Sequence, residues 1–175
     1  MDNPEAGLSL ILILLFIMAN GLFSLAETAI TESHKSRLEK LADDGDKDAS
    51  AALDIVESPI KILSVVQVGI TLMSILVGIS AGAILAPYIA QFISFLPYAD
   101  SLSLCGCILL ITYLNLLFGE FLPKKMAMQT PEKYLMRVHG LLTWLEFITR
   151  PSVAFLSGSA NLVLLLFGIN PHIED

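Results

Sequence analysis

Three groups between Thr112 and Lys125 have the chemistry to hold a small hard cation. Glu120 offers a carboxylate, Gly119 a backbone carbonyl with no side chain to shield it, and Asn115 an amide oxygen one turn before Gly119. Pro123 has no N–H, so the Gly119 carbonyl, four residues back, loses its usual helical donor. Such oxygens suit Mg²⁺, Ca²⁺, Mn²⁺ or Na⁺ and do not suit a soft metal. A charge at membrane depth costs about 2.5–3.5 kcal/mol, so Glu120 calls for an explanation. Besides ion binding, the stretch reads as a proline-kinked helix end whose Glu120 reaches water beside Lys124.

Two other runs carry oxygens at helical spacing. Asn20, Ser24 and Glu27 are four and three apart, which puts them on one helix face. Gln67, Thr71, Ser74 and Gly78 repeat at four, three and four, and Gly78 with Gly82 forms a GxxxG pair. Each set also has a plain structural reading. Small residues mean tight helix packing, and membrane Ser, Thr and Asn often bond back to the preceding turn. Glu27 lies near the end of its run, where it could cap the helix or pair with the basic connector that follows.

Catalytic patterns are missing. The chain has no HExxH, GxSxG or P-loop, and its histidines, His34, His139 and His172, are scattered, so an enzyme is not expected. Cys105 and Cys107 are two apart in an apolar run and read as small fillers.

The elements that must carry these residues are membrane helices. Of 175 residues, 55% are hydrophobic and 15% charged, the mean hydropathy is +0.73, and the apolar residues come in long blocks. The expected fold is all-α, one domain over 1–175, with spans at about residues 8–30, 59–86 and 102–122. Pro59 opens the second span. The acidic segment before the first lacks the basic region of a signal peptide, so that helix is expected to be retained. The net charge of −7 sits mainly in connectors and ends, and no basic stripe points to nucleic acid. Lys and Arg occupy the first connector and follow the third span, while residues 87–100 have none; the positive-inside rule then places the N-terminus outside.

Amphipathic juxtamembrane helices are expected at about 31–58, broken at Asp44-Gly45-Asp46, and at about 131–168, with Thr130 as N-cap and Tyr134 and Trp144 at the interface. The apolar stretch 153–167 is short for a span and is expected to dip into the inner leaflet or pack on the bundle.

Three separated motifs carry a family resemblance: Gly21-Leu22-Phe23-Ser24-Leu25-Ala26-Glu27-Thr28-Ala29, Val66-Gln67-Val68-Gly69-Ile70-Thr71-Leu72, and Phe118-Gly119-Glu120-Phe121-Leu122-Pro123-Lys124-Lys125. In order and spacing they resemble the membrane domain of the CorC/CNNM (cyclin M) family. The resemblance implies a homodimeric, three-span magnesium transporter of the inner or plasma membrane, exporting Mg²⁺ against Na⁺ influx. It also implies that the last apolar stretch is juxtamembrane. By position it assigns Asn20 and Ser24, Thr71 and Ser74, and Gly119 and Glu120 to the metal site. Ile70 stands where some relatives have Asn.

Family members continue into cytoplasmic cystathionine-β-synthase-type (CBS) domains that bind adenine nucleotide; these are expected in the full-length protein and are absent from this chain. The competing expectation is a membrane-anchored Mg²⁺ sensor or regulatory subunit of another transporter, and a third is a purely structural anchor.

Overall fold

The computed structural model describes residues 4–168. Its elements are α1 (Pro4–Glu32), α2 (Lys35–Asp43), α3 (Lys47–Glu57), α4 (Pro59–Ser80), α5 (Ala86–Phe92), α6 (Ala99–Leu116), α7 (Leu122–Gln129) and α8 (Pro131–Leu166). The described residues contain no strand. Two short π-helical turns, Ala81–Leu85 and Leu117–Phe121, join α4 to α5 and α6 to α7. Three continuous helical runs, Leu10–Glu32, Pro59–Phe92 and Ala99–Gln129, are long and apolar enough to cross a membrane.

Both π turns have the same cause. Each ends just before a residue followed by proline, Ala86-Pro87 in one case and Leu122-Pro123 in the other. A proline inside a helix removes one N–H and crowds the carbonyl four residues earlier. Widening the preceding turn relieves that crowding without ending the helix. The Ala86 N–H bonds the Ala81 carbonyl and the Leu122 N–H bonds that of Leu117, each five residues back. The second helical run therefore passes Pro87 and continues to Phe92, and the third continues past Pro123 to Gln129.

The connector folds as its sequence suggests. Gly45 takes a φ of +92° in the turn after α2, and the Asp46 carboxylate accepts from the Asp48 and Ala49 N–H groups at 2.9 and 3.2 Å to cap α3. Thr130 occupies the position before α8, but its hydroxyl makes no capping bond; Pro131, in the first turn, has no N–H to be capped. Helix α8 runs through Pro151 to Leu166 and touches α1, α3, α4 and α7.

Helix α1 is the hub, in contact with α4, α7, α8 and both π turns. Its buried face meets two apolar clusters. One gathers Ala26, Ala29 and Ile30 with Leu38, Ile55, Val66, Ala127 and Leu135 at the end where the connector and α8 pack. The other gathers Ile13 and Ile17 with Val77, Ala81, Cys107 and Ile111 nearer the opposite end. Between them along α1 lie Asn20 and Ser24, both fully buried. Large apolar side chains cover the outside of the spans, among them Leu14, Met18, Leu72, Ile79 and Leu109, as a lipid-facing surface requires.

Rotation of α4 sends part of the Gln67, Thr71, Ser74 and Gly78 set away from the bundle. Gly69 faces the Phe23 ring so closely that an added Cβ would lie 2.7 Å from it. That contact, with Val66 and Val77 buried, turns Gln67, Thr71 and Gly78 outward, where they are exposed. Of the four positions in the stripe, Ser74 is the one that reaches toward α6.

Candidate cation site

The buried polar layer is built from three helical runs. The Asn20 Nδ2 group donates to Asn115 Oδ1 at 3.2 Å, and Asn115 Nδ2 donates to Ser74 Oγ at 3.4 Å. A chain of amide and hydroxyl groups thus links α1, α6 and α4. Its closeness depends on two glycines. A Cβ on Gly119 would stand 2.7 Å from Asn115 Oδ1 and 2.9 Å from Asn20 Nδ2. One on Gly21 would stand 3.1 Å from both the Phe118 carbonyl oxygen and Pro123 Cγ. Both positions let the α1 backbone approach the π turn, and that approach brings Asn20 against Asn115.

Two oxygens in this layer have no partner. Asn20 Oδ1 and Ser24 Oγ are buried and accept no hydrogen bond, and their residues have 0% exposure. Leaving a buried polar atom unsatisfied costs about 1–3 kcal/mol, so two such atoms one turn apart mark a place prepared for a donor or a cation. Other hydroxyls behave differently: those of Thr31, Ser64, Thr71 and Thr149 bond back to carbonyls of the preceding turn. Ser24 does not take that option.

No three His, Cys, Asp or Glu side chains gather among the described residues, so the donor set is one of neutral oxygens with a carboxylate nearby. Gly119 is buried within the layer. Glu120, the next residue, is half-buried and lines a groove of about 530 Å³ with Tyr113, Leu117, Phe121 and Lys124. Thr71 stands apart from the layer. Its hydroxyl bonds the Gln67 carbonyl at 2.9 Å, and its side chain lines an outer groove of about 800 Å³ with Glu27, Thr31, Ser64 and Gln67. Glu27 pairs with Lys124 at 3.0 Å, a residue of α7 and not of the first connector.

The profile of the cyclin M transmembrane N-terminal domain matches residues 10–175. This chain belongs to the cyclin M transmembrane-domain family. It is 40% identical over 173 residues to UPF0053 protein sll0260 of Synechocystis, covering 97% of this chain and 39% of that protein. It is 30% identical over 162 residues to the polyamine export protein of Escherichia coli K12, covering 91% and 36%. UPF0053 protein YhdT of Bacillus subtilis is 32% identical over 170 residues, covering 95% and 37%. The chain therefore spans less than two-fifths of the length of each of these relatives. This cyclin M domain is a membrane protein of three apolar helical runs.

Within this cyclin M domain, Asn20, Ser74 and Gly119 come together with Asn115 in one layer, Ser24 is buried one turn along α1 from Asn20, Glu120 follows Gly119 at its border, and Thr71 faces away. The resemblance did not single out Asn115, although it joins the two other helical runs. Its sequence signal is its place four residues before Gly119, on the same helix face.

Proposed function

We propose that this domain carries Mg²⁺ across the inner or plasma membrane, as a homodimer, exporting the ion against a Na⁺ gradient. The observation that carries this reading is the pair of unpartnered buried oxygens, Asn20 Oδ1 and Ser24 Oγ. Together with Ser74, Asn115 and the carbonyl of Gly119 they offer hard neutral donors. Mg²⁺ sheds its waters reluctantly, so these donors receive an ion that keeps part of its hydration shell. Glu120 supplies the single charge when the π turn directs it inward, and one charge among neutral donors allows release. The outward stripe of Gln67, Thr71 and Gly78 is the surface a second copy covers, since polar groups do not face lipid. Thr71 then serves the dimer or the entrance and not the ion directly. The N-terminus lies outside, because all Lys and Arg residues fall at the opposite end of the spans.

A second reading is export of a polyamine, the activity in the name of the Escherichia coli relative. The outer groove favours it: Glu27, Thr31, Ser64, Gln67 and Thr71, with apolar residues such as Leu63 and Leu72, line a space of about 800 Å³. There the carboxylate could meet an amine and the apolar wall its methylenes. Flux in proteoliposomes separates the two. Mg²⁺ and spermidine efflux are measured with and without an opposing Na⁺ gradient, for the wild type, Glu120→Ala and Gln67→Leu. Mg²⁺ flux lost in Glu120→Ala and kept in Gln67→Leu is expected. Spermidine flux lost in Gln67→Leu, with no Mg²⁺ flux at all, would establish polyamine export. Mg²⁺ binding without flux, in this chain and in the full-length protein, would make the domain a sensor.

A further inference from the structure

A second cavity lies away from the polar layer, where the first turns of α4 meet the middle of α8. It measures about 560 Å³. Lys61, Arg150 and Glu146 stand at one end, Val65, Val153 and Ala154 form an apolar wall, and Ser157 lies beyond them. Neither cation is neutralised: among the described residues no carboxylate lies within ion-pairing distance of Lys61 or Arg150. The Arg150 guanidinium instead rests over the Phe147 ring, 5.9 Å from its centre. Unneutralised cations above an apolar wall are the two halves of a lipid site.

Position along the helices agrees. Lys61 stands in the first turn of a membrane-crossing run and Val65 one turn deeper. On α8, Trp144 and Phe147 are exposed near the Glu146 end of the cavity, and Phe155 and Leu156 are exposed near its Ser157 end. Aromatic residues followed by apolar ones mark the passage from headgroup level into hydrocarbon. All ten Lys and Arg residues of the chain lie at this end of the spans, the end that meets an anionic leaflet if the positive-inside rule holds.

We propose that the cavity between Lys61 and Arg150 is a site for one acidic glycerophospholipid of the phosphatidylglycerol type. Its phosphate sits between the two cations and an acyl chain lies along Val65, Val153 and Ala154. Glu146 would repel a second negative charge and accept from the headgroup hydroxyls, which distinguishes this lipid from one with a phosphomonoester head. Such a lipid would fasten α8 to α4, so it would act on the angle between the juxtamembrane helix and the span.

Native mass spectrometry of the purified protein, titrated with phosphatidylglycerol or phosphatidylcholine, tests this. Phosphatidylglycerol should remain bound preferentially to the wild type. Its apparent affinity should fall about fivefold for each of Lys61→Gln and Arg150→Gln. A Lys125→Gln/Lys133→Gln pair removes the same charge elsewhere at this end and should leave binding unchanged. Both cations of the site are exposed, so the variants should keep the wild-type melting temperature. Equal retention of phosphatidylglycerol in the Lys61→Gln/Arg150→Gln protein would overturn the proposal. So would equal losses in the control pair, which would mean diffuse charge attraction. Displacement of the lipid by millimolar inorganic phosphate would reassign the cavity to a free anion.

Discussion

A serine inside a helix ordinarily returns its hydroxyl to the carbonyl one turn back, and Ser64 and Thr71 of α4 do so at 2.9 Å. Ser24 holds its hydroxyl free in a fully buried position, beside an equally free Asn20 Oδ1. Such an arrangement lowers stability and persists where a ligand uses it. Ser24→Ala removes the unsatisfied oxygen, so the metal-free domain should melt at the same temperature or be stabilised by up to about 1–3 kcal/mol. With Mg²⁺ as the proposed ligand, its addition should raise the melting temperature of the wild type, as any ligand of the folded state does. That rise should shrink sharply in the alanine variant. A variant that is less stable without Mg²⁺ and keeps the full Mg²⁺-dependent rise would remove Ser24 from the site.

The decisive element is the π turn Leu117–Phe121. It carries Gly119 and Glu120, it ends ahead of Pro123, and Gly21 of α1 lies against it. A π turn holds one residue more than an α turn, so reverting it to α would rotate everything downstream by about 100°. Pro123→Ala restores the missing N–H and permits that reversion. The expected result is a protein with unchanged helical circular dichroism, a broken Glu27–Lys124 pair and Mg²⁺ flux reduced at least tenfold. Pro87→Ala, at the equivalent place in the other π turn and away from the Asn20–Asn115 contact, should lower flux far less. Equal flux in Pro123→Ala and the wild type would show that the turn only accommodates the proline.

At the scale of the molecule, one carboxylate ties α8 to the first connector. Glu132 opens α8, its side chain is 9% exposed, and its Oε1 accepts from the His34 N–H at 3.1 Å. The same oxygen lies 3.4 Å from His34 Nδ1 and 3.6 Å from an Arg37 guanidinium nitrogen. Burial pushes the acid upward, but the backbone N–H bonds from its own residue and from His34, with the Arg37 charge, more than offset it and hold it below its ordinary value. A depressed carboxylate stabilises the fold above its unfolded pKa, and that contribution disappears as pH falls through the folded one. The contact between α8 and the corner at His34 should therefore hold at neutral pH and loosen in acid. Thermal unfolding of the wild type and Glu132→Gln from pH 7 down to pH 3.5 checks this. The variant should be less stable at pH 7, and the gap should close at the acid end; a gap independent of pH would mean that Glu132 acts through packing alone.

Much of this protein is determined locally and is therefore legible in one dimension. Long apolar blocks produce three membrane-crossing runs because a bilayer leaves the backbone no other partners, and Gly45 with Asp46 marks the break between α2 and α3 through turn and capping chemistry. The Gly119-Glu120 pair and Pro123 similarly announce an irregular helix, since a proline's effect reaches four residues back whatever surrounds it. Helical spacing also puts Asn20 and Ser24 on one face. It does not say which face of α4 meets them. That was decided by Phe23 closing over Gly69, which turns Thr71 outward and leaves Ser74 to reach Asn115. Helix rotation depends on side chains from two distant segments fitting at once, and no spacing rule within either segment contains that information.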